Sequence, residues 1–112
     1  MDSILESIKK LLGFDEEYEA FDQDIIMHIN STFFTLSQLG VGPTPQFTIA
    51  DSTATWDKFM KPEDGIEAVK TYIYQKLRLI FDPPTTSFAI AAIEKMTEEY
   101  EWRLNVHADK TW

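Results

Sequence analysis

The chain has 112 residues, 44% of them hydrophobic and 13% aromatic, which supplies one domain with a core and argues against both two domains and intrinsic disorder. Nineteen acids against ten bases leave a formal net charge of -9, which repels phosphate backbones and anionic membranes and argues against nucleic-acid binding through a basic patch. With no cysteine there is no disulfide framework, thiolate metal site or cysteine nucleophile, and an intracellular origin is expected.

At the start, "DSILESIKKLLG" places Ile4, Leu5, Ile8, Leu11 and Leu12 at helical spacing, with Asp2 or Ser3 as cap and Gly13 as terminator. Charges interrupt these apolar positions, unlike the core of a signal peptide, and no run reaches the length of a membrane span. Next, "FDEEYEAFDQD" carries Asp15, Glu16, Glu17, Glu19, Asp22 and Asp24 without a base among them, and reads as a solvated loop. A second helix is expected from Asp22, taken as its N-cap, with Ile25, Ile26, Ile29, Phe33, Leu36 and Leu39 on one stripe and Gly40 at its end.

From Gly40 to Gly65 the chain is rich in glycine and proline and reads as a long irregular loop. Within it, Phe47 and Ile49 alternate with Thr48 like a short strand, and Trp56, Phe59 and Met60 have the spacing of one helical turn. A third helix is expected from near Pro62 to Phe81, with Ile66, Val69, Ile73, Leu77 and Ile80 as its stripe. Tyr72, Tyr74, Leu79 and Phe81 add apolar surface outside that stripe, so this helix should be buried on most sides. Lys70, Lys76 and Arg78 can lay their stems along it and lift their charges to acidic partners at its rim. Asp82-Pro83-Pro84 stops it, and Thr85, Thr86 or Ser87 can cap a fourth helix, "SFAIAAIEKMTEEYEWRLNV", followed by a flexible tail over about 105–112. The expected fold class is therefore mainly α: a single domain over 1–112, a small four-helix protomer with a long loop and a possible short β segment between helices 2 and 3.

Candidate chemistry is sparse. Asp24 and His28 share a helix face, yet the other histidine, His107, lies in the tail and no further ligand is apparent. Glu98, Glu99 and Glu101 have the pattern of a solvated helix end rather than of paired catalytic carboxylates. "GVGP" lacks the lysine of a phosphate-cradling loop, and Asn30-Ser31-Thr32 falls inside a helix, where a glycan acceptor is not expected. No catalytic, cofactor-binding or metal-binding residue is assigned, and no enzyme is expected. The surplus is apolar and aromatic, with arginine, which are the usual anchors of protein interfaces.

Three stretches in order, "SIKKLLGFDEEYEAFDQDIIMHINSTFFTLSQLGVGP", "VKTYIYQKLRLIFDPPTTSF" and "EWRLNV", resemble the head-tail connector (adaptor, or head completion) proteins of tailed bacteriophages, covering Ser3 to about Val106. The resemblance implies a mainly helical virion protein, assembled in the host cytoplasm, that forms a dodecameric ring beneath the portal in the neck. The ring would continue the DNA channel for ejection, pass DNA through its lumen without specific binding, and dock the next neck or tail-completion protein; no membrane is involved. It places the portal contact at Trp102, Arg103, Leu104 and Trp112. Contacts between ring subunits are expected at Tyr72, Tyr74, Arg78 and Phe81, which lie on the extra face of the third helix, and in the Gly40–Gly65 loop. A different class of function remains as an alternative: an acidic DNA mimic that blocks a host nuclease, suggested by the acids of residues 15–24 and 98–101.

Overall fold

The computed structural model describes residues 3–15, 17–43, 47–60 and 65–109. Helix α1 (Ile4–Leu12) is bounded as its sequence requires. Extended Ser3 accepts a hydrogen bond from the Glu6 amide through its hydroxyl, and Gly13 closes the helix at φ 90°, where its N–H reaches the Lys9 and Lys10 carbonyls. Ile4, Leu5, Ile8 and Leu12 are buried, whereas Leu11, expected on the same face, is 49% exposed.

Helix α2 (Asp22–Gln38) starts after Phe21, which occupies the N-cap position expected of Asp22. Asp22 lies in the first turn, and its carboxylate reaches back to the buried Lys9 of α1. The acidic stretch is thus not wholly solvated, because one of its members is tied to a lysine thirteen residues earlier in the chain. Ile25, Ile26, Ile29, Phe33 and Leu36 are buried as their spacing predicts.

Among the described residues of the following loop there is no strand. The alternation at Phe47 and Ile49 has no partner strand to pair with; instead the Asn30 side chain donates to the Ile49 carbonyl at 2.9 Å and accepts from the Ile49 amide at 2.8 Å. Phe33, Phe47 and Phe59 form a triangle of rings 4.6 to 5.6 Å apart that seats the loop on α2. The predicted helical turn is present as α3 (Trp56–Phe59), which raises the number of helices among the described residues from the expected four to five. Trp56 Nε1 donates to Ser7 Oγ at 2.7 Å, and the Ile4 amide donates to the Ala54 carbonyl at 3.0 Å, so the loop is fastened to α1 as well.

Helix α4 (Ile66–Phe81) corresponds to the expected third helix; its proposed start at Pro62 lies outside the described residues. It packs against α1, α2 and α5 (Ser87–Asp109), which makes it the common wall of the fold. Val69, Tyr72, Ile73 and Leu77 have no exposed surface, and each such side chain contributes about 1.5–3 kcal/mol by leaving water. Ile80 departs from the expected stripe and is 51% exposed, because it lines an open groove between α2 and α4 instead of the core. The Thr86 hydroxyl accepts from the Ala89 amide and caps α5. That helix continues past residue 105, where a flexible tail was expected to begin, held by buried Leu104 and by Asn105, which donates to the Leu39 carbonyl at 3.1 Å.

Candidate docking surfaces

Three surfaces collect the residues of interest. The first is the outward face of α5. Along this helix Thr97 and Leu104 turn inward, while Phe88, Met96 and Trp102 turn outward at 85%, 46% and 67% exposure. An exposed tryptophan beside an arginine has the composition of an interface anchor. Arg103 donates to the Glu99 carboxylate at 2.6 Å, which lays its guanidinium along the helix towards Met96 and Tyr100. Leu104, grouped with these residues by sequence, instead belongs to the core, and Trp112 lies outside the described residues.

The second surface lies along α4. Tyr72 cannot serve a contact with another chain: its ring is completely buried, and its hydroxyl donates to Glu101 Oε2 at 2.6 Å. Burial, followed by that hydrogen bond and the carboxylate's charge, pushes the hydroxyl's pKa well above the ordinary tyrosine range. Glu101 also lies 3.8 Å from Lys76 Nζ, so it links α5 to two residues of α4. Lys70 pairs with Glu67 at 3.7 Å and stands over the Trp56 ring, so both lysines of this helix find carboxylates within the same chain. Tyr74 and Arg78 are partly buried, and the Arg78 Nε atom is buried without a hydrogen-bond partner. Phe81, also partly buried, meets Phe14 edge-on at 6.3 Å and His28 at 5.5 Å.

Those contacts lead to a third surface that sequence reasoning missed. Phe14, Tyr18 and Phe21 cluster at 5.8 to 6.4 Å, and Phe81 joins them through Phe14. Tyr18 and Phe21 are 48% and 41% exposed. The spacing of Phe14, Tyr18 and Phe21 in an acidic stretch was a visible signal, but its closure onto Phe81 depends on how α4 packs. Beside it, a groove of about 360 Å³ between α2 and α4 is lined by His28, Thr32, Lys76, Leu79 and Ile80, among others.

The remaining candidates are dispersed. Asp24 is exposed, while the His28 ring stands against Phe81. Glu98 and Glu99 are exposed, and Glu101 is engaged between helices. Among the described residues no group of three or more histidines and acids has the arrangement to hold a metal ion, and no helix is long and apolar enough to cross a membrane. Gly42 of the "GVGP" turn has φ 93° and lies against the Phe59 ring, a packing role.

A family model described as phage connector protein matches residues 4–111, nearly the whole chain. No curated protein and no solved structure matches it.

Proposed function

Because the chain belongs to the phage connector protein family, a family of structural virion proteins, we propose that it forms a ring beneath the portal, joins capsid to tail and continues the DNA channel. The observation that carries this reading is the extent of the family match, which runs through every helix. Exposed Trp102, together with Arg103 on α5, suits the portal contact. Ring closure needs two different complementary patches on each protomer. Tyr74 and Arg78 on α4 contribute to one, and the Gly40–Gly65 loop supplies the other. Arg78, only partly buried, carries a planar fork that suits a neighbouring subunit's carboxylate.

An excess of nine negative charges gives up the phosphate contacts that dominate nucleic-acid affinity, so DNA passes the lumen without being held. Electron microscopy of the protein mixed with its portal protein tests the reading. A ring of twelve subunits seated on the portal is expected, with assembly taking place in the host cytoplasm and the next neck protein docking on the free side. A protein that stays monomeric both alone at high concentration and with portal overturns it. The DNA-mimic alternative predicts inhibition of a basic nuclease that weakens with salt and does not depend on portal.

A further inference from the structure

We propose that the aromatic surface formed by Phe14, Tyr18, Phe21 and Phe81 is a docking site for a basic, arginine-bearing segment of another protein. The four rings come from the α1–α2 loop, the N-cap of α2 and the last residue of α4. Two of them leave about half their surface in water although they touch one another. Single exposed apolar residues are ordinary on a protein surface; a contiguous cluster of large rings is a mark of an interaction site.

Charge selects the occupant. Asp15, Glu17 and Glu19 are exposed on the same loop, and exposed Asp82 directly follows Phe81. None of these four acids has an ion-pair partner among the described residues. Nucleic acid and anionic lipid are repelled by this rim. A second copy of the chain is poorly matched to it, since the whole sequence has ten bases against nineteen acids and Lys9, Lys70, Lys76 and Arg103 already stand in ion pairs. A cationic protein segment satisfies both features at once. Arginine fits better than lysine, because its planar guanidinium stacks on aromatic faces while its fork engages carboxylates.

The proposal goes beyond the connector reading and does not depend on ring formation, so the two can fail separately. It is tested by titrating the full chain with a short peptide of alternating arginine and glycine, following backbone amides by NMR at low salt. The lysine–glycine counterpart is run in parallel. The expected result is binding of the arginine peptide with shifts centred on residues 14–21 and 81–82, and weaker binding of the lysine peptide. Tyr18→Ala combined with Phe21→Ala should weaken the arginine peptide about tenfold. Glu17→Lys combined with Glu19→Lys, which leaves every ring in place, should weaken it comparably and decides the matter if the aromatic variant unfolds. Shifts centred instead on the α5 acids, equal binding of the two peptides, or unchanged binding by the charge variant overturns the proposal.

Discussion

Lys9 Nζ lies 2.8 Å from Asp22 Oδ1, with the lysine side chain 2% exposed and the aspartate 22%. The contact is ionic rather than an aligned hydrogen bond, and it ties the core face of α1 to the first turn of α2. Removing one partner of a buried pair takes that compensation from the other's charge, which costs more than the pair itself contributes. Asp22→Asn should therefore destabilise by about 2–4 kcal/mol, while Lys9→Met, which leaves the less buried of the two side chains, should cost about 1 kcal/mol. Urea midpoints compare the two; an equal or smaller loss for Asp22→Asn would contradict this account.

Tyr72 is an acid whose folded-state pKa is raised, so its stabilising contribution is complete below the unfolded tyrosine value near 10 and is lost as pH rises beyond it. Above that point the unfolded chain releases a proton that the folded chain retains. Tyr72→Phe should cost about 1–2 kcal/mol at pH 7 and should lose that residue's share of the alkaline decline. Denaturation at neutral pH and above pH 10 measures both effects.

Gly13 and Gly42 share a left-handed backbone but not their surroundings. A Cβ on Gly13 would meet nothing within 4 Å, whereas one on Gly42 would lie 2.5 Å from the Phe59 ring. Gly13→Ala should cost about 1 kcal/mol for conformation alone. Gly42→Ala should cost about 2–4 kcal/mol, since Phe59 is buried against Phe33 and Phe47 and has little room to move. Thermal melts of the two variants rank them.

Trp102→Ala should leave stability within about 0.5 kcal/mol of the parent, because the side chain is two-thirds exposed. On the proposed function it should weaken portal binding about tenfold or more, as loss of an interface anchor does. A pull-down with portal protein measures this, and retention at parent level would remove Trp102 from the contact.

Helix type was legible wherever the cause was local. Ser3 and Gly13 bound α1, and the stripes of α2 and α4 give nine of the nineteen buried hydrophobic residues among those described. Partners distant in sequence were not legible. Lys9 reads as a solvent residue until α2 places Asp22 above it, and Asn30 reads as one polar residue among several until its amide meets both backbone groups of Ile49. The same limit applies to the surfaces: Trp102 could be singled out by type, but the burial of Tyr72 and Leu104 and the meeting of Phe14 with Phe81 follow from packing.

The position of α4 also governs when the chain can fold. The apolar faces of α1 and α2 emerge first during synthesis, yet both rest against α4, which is complete only at Phe81. Until that helix has left the ribosome, Ile8, Ile29 and their neighbours lack their shared wall and stay open to aggregation and proteolysis. A nascent chain halted before Ile66 thus holds α1, α2 and α3 without the wall they share, and quality control should clear it, so that intact subunits are the ones left to assemble.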